Sequence, residues 1–402
     1  MSINKLLNNQ LLILCIATAL ISSGQGVISP ILPIFAKELN VSIRSIGFAV
    51  SIFAFARLLF NFPIGILADK IGRRPLLITG PLINSCGILL TGFSTNLTIL
   101  LISRFISGIG HGMYTLAALA YISDIASNHN RARFIGMNQA ALLTGVAIGP
   151  AVGGILAEIY NLRMPFYVIS IVVAFTSIYS AFYLPETLKK QVFEKKKSAQ
   201  SKNKMALFLK LLKSTQFIAI ALITICIFLT RQGSRHTIIP LLAVTKFNIT
   251  TGVLGAIFTI QAVVHFCFLF PASFLADKIG RRWLIIPSMT ATSIFLILFV
   301  IANNFIFFII ASILISISMA MAGPAPAAFV VDITPKEITG IAMSMYRTAG
   351  DIGFVIGPPI LGYIADKNGL GASLIANTVI IIIALIFFII FGKEKRNDNQ
   401  LM

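Results

Sequence analysis

Twelve apolar runs, each long enough to cross a bilayer, leave this 402-residue chain few folds to choose from. A hydrocarbon core about 30 Å thick takes about 20 apolar residues per helix. The runs lie near 11–35, 43–67, 76–93, 97–123, 135–157, 164–184, 215–243, 252–275, 284–302, 305–331, 338–362 and 369–391. Only 11% of the residues are charged, which excludes an ordinary soluble domain. The expected fold class is an all-α membrane protein of twelve transmembrane helices. Lys5 ahead of a stretch containing Ala17-Thr18-Ala19 has the elements of a cleaved signal, but the apolar pattern continues to Ala36 and reads as a span.

A net charge of +19 would suggest nucleic acid for a soluble protein. Here most of the cations sit in the breaks between spans and read as orientation signals. Lys5, Lys70, Arg73, Arg74, Arg131, Arg133, the lysines from Lys189 to Lys213, Lys278, Arg281, Arg282, Lys336, Lys393, Lys395 and Arg396 share a side with both termini. Lys37, Arg44, Arg163, Lys246 and Lys367 fall opposite. The positive-inside rule then puts both termini in the cytoplasm, in a multi-pass protein of the cytoplasmic (inner) membrane whose basic loops face an anionic leaflet. No nucleic-acid partner is expected. Cys15, Cys86, Cys226 and Cys267 lie inside apolar runs without paired spacing, so neither a disulfide framework nor a metal site is indicated, and no cofactor is expected.

The longest break, 185–214, is basic and polar. It reads as a cytoplasmic linker between an N-terminal six-helix bundle, 1–184, and a C-terminal bundle with a short tail, 215–402. Its end, Met205 to Lys213, has apolar residues at helical spacing between lysines, and reads as an interfacial helix or as a solvated loop.

The eight residues Leu67 to Arg74 recur letter for letter as Leu275 to Arg282, a shift of 208. The same shift pairs Pro63 with Pro271, Asp124 with Asp332, Gly145 with Gly353, Gly149-Pro150 with Gly357-Pro358, and Gly154 with Gly362. One six-helix unit is used twice, which favours a site at the interface of the halves near the bilayer midplane. An Asp at a helix C-terminus opposes the macrodipole and needs compensation from nearby cations or another helix N-terminus. Asp69, Gly72, Arg73 and Arg74, with Asp277, Gly280, Arg281 and Arg282, therefore read as two latches; the alternative is that the arginines only satisfy the positive-inside rule. Gly145, Gly149, Pro150, Gly153 and Gly154, repeated as Gly353, Gly357 and Pro358, put small residues along spans five and eleven for close helix approach. Gly108-Ile109-Gly110-His111-Gly112 looks like a dinucleotide fingerprint, but it lies within a span and follows no strand.

These residues resemble the major facilitator superfamily, and within it the twelve-helix drug:proton antiporters. Gly65 to Leu76 resembles the superfamily's loop signature, with Gly65, Asp69, Gly72, Arg73 and Arg74 within it. Arg104 with Gly108 resembles the helix-four motif, and Gly145 to Gly154 the helix-five antiporter motif. Pro30 and Pro33 match paired prolines of helix one, and Pro185-Glu186-Thr187 the segment after helix six. Ser107 stands where the helix-four motif usually has Gln, and His111 where a small residue is common. The resemblance implies two pseudo-symmetric bundles that rock about a central cavity.

Charges within spans are costly and mark functional candidates. Arg57 lies on span two, Arg104 and His111 on four, Arg231, Arg235 and His236 on seven, His265 on eight, and Arg347 and Asp351 on eleven. Gln25, Asn138, Gln139 and Gln261 add neutral hydrogen-bonding capacity. For each, satisfaction by a neighbouring helix remains the alternative, and for Arg235 packing or snorkelling is the reading taken. The excess of cations favours anionic or carboxylate-bearing substrates, and Asp351 is the one carboxylate well inside a span. The expected function is a proton-coupled exporter (antiporter) of a small organic molecule, working by alternating access as a monomer. An organic-anion exchanger or uptake carrier without proton drive is the alternative. An intramembrane enzyme is disfavoured, since no H-E-x-x-H, G-x-S-x-G or paired intramembrane carboxylates occur.

Overall fold

The computed structural model describes residues 3–127, 130–187, 211, 213–335 and 338–392. Among them, twelve helices are long and apolar enough to cross a membrane, and no strand occurs. They are α1 (Ile3–Glu38), α2 (Ile43–Ile71), α3 (Arg73–Phe93), α4 (Leu97–Ile125), α5 (Arg131–Ile159), α6 (Met164–Tyr183), α7 (Thr215–Phe247), α8 (Thr251–Ile279), α9 (Arg281–Ile301), α10 (Phe305–Ile333), α11 (Thr339–Asn368) and α12 (Leu370–Phe391). Each matches one expected span, with ends that differ by up to eight residues, as fraying helix boundaries allow. Most of the expected linker and its interfacial stretch, residues 188–210 and 212, lie outside the described residues.

The duplication is visible in how helices begin. Asn96 Oδ1 accepts the Ile99 N–H at 3.0 Å to open α4, and Asn304 Oδ1 accepts the Phe307 N–H at 2.9 Å to open α10; these caps are again 208 apart. Gly72 and Gly280 separate α2 from α3 and α8 from α9 with φ of 103° and 99°. Side chains rarely adopt that conformation, so each sharp turn needs glycine.

The chain forms two compact units, Met1–Gln191 with Pro240–Ala262, and Val192–Ile239 with Val263–Met402. In the first, α1 packs along α5, α3 along α4 and α6, and α2 along α4. In the second, α7 packs along α11, and α9 along α10 and α12.

Two helices depart from regular α geometry. Within α7, Thr230–Ile238 is wound as a π-helix, and the Thr237 hydroxyl donates to the carbonyl of Gln232, five residues back, at 2.8 Å. In α10 the helix breaks at Gly323 and restarts with Pro324, whose missing N–H suits the first helical position.

Candidate functional site

At the turn whose sequence is repeated, Arg73 organises the first unit. Its guanidinium meets Asp69 at 3.2 Å and Asp124 of α4 at 2.8 Å, and Nη1 donates to the Ala68 carbonyl at 2.8 Å. Arg74 donates to the Ala181 carbonyl on α6 at 2.7 Å. The second unit repeats every one of these contacts: Arg281 meets Asp277 at 2.8 Å and Asp332 at 3.0 Å and donates to the Ala276 carbonyl, while Arg282 donates to the Ile389 carbonyl at 2.7 Å. The compensation expected for Asp69 and Asp277 therefore comes from an arginine one turn on. A second acid on the neighbouring helix, Asp124 or Asp332, shares it.

Glu186 was not among the candidate site residues. Its carboxylate accepts the N–H groups of Arg73 at 3.0 Å and Arg74 at 3.1 Å, capping the positive end of α3. Thr187 beside it donates to Asp124 Oδ2 at 3.0 Å. A Cβ on Gly72 would collide with the Glu186 carboxylate. Gly65, by contrast, has open space where its Cβ would be.

Deeper in the first unit, two of the expected residues, Arg104 and His111, meet Phe53 of α2, and a third, Arg57, lies one turn on along the same helix. The Arg104 guanidinium carbon lies 4.7 Å from the centroid of the Phe53 ring, within cation–π range, and the His111 ring is 5.4 Å from it. Arg57 packs against the Gly112 backbone of α4 and, with Arg104, acts electrostatically on His111. The glycines around His111 explain why: a Cβ on Gly108 would strike the Phe53 carbonyl of α2, and one on Gly110 the Asn84 N–H of α3. The Gly-rich run is thus helix packing on two faces. Ser107 donates to Asn84 Oδ1 at 2.6 Å, so the departure from the helix-four motif serves the α3–α4 contact. Asn138 belongs to a different network, accepting from Thr18 at 2.7 Å while Thr18 lies 2.9 Å from the Tyr114 hydroxyl. Gln25 and Gln139 are exposed, and Gln261 is fully buried.

In the second unit the π-helical turn carries Arg231, Arg235 and His236, and the charges of both arginines act on His236 and on His265 of α8. Arg235 is buried, at 6% exposure. The turn is held by a residue the sequence reading missed: Asn377 of α12 donates to Thr230 at 3.0 Å and to Ser234 at 2.7 Å. On α11, Arg347 is exposed and Asp351 half-buried.

The small-residue motifs pack helix backbones. A Cβ on Gly149 would lie 2.6 Å from the Ser23 carbonyl oxygen and the Val27 nitrogen of α1, and one on Gly153 2.8 Å from the Val27 carbonyl. Gly145 meets the Ala19 carbonyl in the same way. Gly353 and Gly357 repeat this against Ile225 and Leu229 of α7. Gly154 instead faces Thr251 and Gly255 of α8, where Ala151 N–H donates to Thr259 at 3.0 Å. No cluster of metal-ligating side chains occurs among the described residues.

Comparison with known proteins agrees with this architecture. The chain matches the family model of the Major Facilitator Superfamily over residues 14–234 and 224–401. It is 28% identical over 382 residues to "Multidrug resistance protein 2" of Bacillus subtilis, covering 93% of each chain. It is 27% identical over 394 residues to "Quinolone resistance protein NorA" of Staphylococcus aureus, covering 94% of this chain and 97% of that one. A bacterial homologue of the human lysosomal transporter Spinster, solved in an inward-facing and occupied conformation, shares the fold with a TM-score of 0.82 at 16% identity, over 96% of both chains.

Proposed function

The chain belongs to the Major Facilitator Superfamily, a family of membrane transporters, and on that premise we propose that it exports a small organic molecule across the cytoplasmic membrane in exchange for protons. The relatives named for multidrug and quinolone resistance support export. In this reading both termini are cytoplasmic, the chain is organised as two halves, 1–184 and 215–402, joined by the linker 185–214 and working by alternating access, and the protein acts as a monomer. Asp69 and Asp277 are equivalent latches that close the cytoplasmic side.

The observation that carries the substrate class is the sign of the interior charge. Arg57, Arg104 and His111 lie in one unit and Arg231, Arg235, His236 and His265 in the other, whereas among the described residues Asp351 is the one acid far from a helix end. Interior cations in both units attract anionic or carboxylate-bearing compounds. Their excess also leaves Asp351, about 18 Å into α11 at 1.5 Å per residue, as the carboxylate that takes up and releases the coupling proton.

Proteoliposomes with an imposed pH gradient, screened with anionic, neutral and cationic compounds, test the proposal. Gradient-dependent movement of anionic compounds is the expected result. Movement that requires a counter-anion and ignores the pH gradient would instead make the protein an organic-anion exchanger.

A further inference from the structure

We propose that Arg104, with Arg57 and His111, forms a binding site for a compact monovalent anion inside the first unit. Arg104 is buried, at 7% exposure, and its Nε finds no hydrogen-bond partner among the described residues. A guanidinium withdrawn from water needs compensation by an opposite charge or by hydrogen bonds. No ion pair among the described residues supplies it. The acids of the unit's helices, Glu38, Asp69, Asp124 and Glu158, all stand at helix ends. Asp124, on the same helix, is 20 residues from Arg104, or about 30 Å at 1.5 Å per residue.

The site has walls as well as charge. Phe53 covers the Arg104 guanidinium at 4.7 Å on one side. Gly112 lets the Arg57 side chain lie directly against α4, where a Cβ would come within 3.2 Å of Arg57 Cγ. His111, whose ring is 5.4 Å from Phe53, sits within electrostatic reach of both arginines. The buried Arg104 guanidinium, a second cation on Arg57 and an aromatic wall suit a halide or a carboxylate head group, which a charge-assisted N–H donor binds well.

The proposal deepens the anionic reading of the substrate and rests on it for the link to transport, but not for binding. Its test therefore uses binding alone. Radiolabelled chloride and radiolabelled benzoate are titrated onto the purified full-length protein at constant ionic strength, balanced with the bulky sulfonate HEPES. The wild type should bind at least one of them saturably, and Arg104→Gln and Arg57→Gln should each weaken that binding by about tenfold or more. Benzoate displacing chloride would identify the site as one for a substrate's acid group. Chloride bound but not displaced would identify a resident inorganic anion. Absence of saturable binding to the wild type overturns the site whatever the variants do, as does unchanged affinity in whichever variant folds. Gradient-driven export by a protein that binds neither probe would keep the transport reading and remove this site.

Discussion

Arg73 holds two acids at once, and the two are not equivalent. Asp124 lies 2.8 Å away and is a quarter exposed, whereas Asp69 is half exposed at 3.2 Å. An exposed ion pair contributes about 0–1 kcal/mol, so Asp69→Asn leaves Arg73 anchored and the protein stable. If Asp69 is a latch, the same change should cut transport strongly at equal protein level; wild-type turnover would remove the latch. Glu186→Ala should behave oppositely. It strips the cap from α3 and should cost about 1 kcal/mol, readable as a lowered Tm. At Asp351, Asp351→Asn should abolish accumulation driven by a pH gradient and spare exchange without one, since only the first needs a carboxylate that changes protonation. Gradient-driven accumulation in the variant would exclude Asp351 from coupling. The role of Glu186 was hidden in the sequence because its partners are 113 and 112 residues away. No local pattern records such a contact.

At the scale of elements, apolar length fixed the twelve helices well, because hydrocarbon thickness sets span length almost independently of side-chain detail. The π-helical turn escaped it. A hydropathy run records how apolar a stretch is and not whether its carbonyls are met four or five residues on. Asn377 escaped for a related reason, since span twelve contains no charge and reads as a plain support. Its amide bridges Thr230 and Ser234 across the wide turn. Asn377→Ala would leave two buried hydroxyls short of a partner, at a cost of about 1–3 kcal/mol each. The expected result is a lower Tm together with weakened binding of anionic ligands, because Arg231 and Arg235 lose their fixed turn. Unaltered stability would mean that the turn is held by other contacts.

For the molecule as a whole, the internal repeat was the most informative signal. The shift of 208 found in the letters reappears in the ion pairs of Arg73 and Arg281, in the carbonyls met by Arg74 and Arg282, and in the caps Asn96 and Asn304. The interior cations could be located by span but not grouped. Their convergence on Phe53, or on the turn of α7, depends on which helices approach through glycine. The charge asymmetry of the breaks predicts the orientation: a cysteine placed at Gln200 in a cysteine-free background should resist an impermeant reagent applied to intact cells. Labelling from outside would invert the topology.

The three glycines flanking Ile109 and His111 carry a lesson for anyone wishing to redirect this carrier by laboratory evolution. Gly108 abuts a carbonyl of α2, Gly110 a backbone amide of α3, and Gly112 the stem of Arg57. In a library over α4, letters other than glycine at 108 and 110 meet backbone atoms of α2 and α3 and are sterically barred. A small focused library at Arg104 and His111, which leaves those glycines untouched, samples the charged interior without breaking the helix contacts.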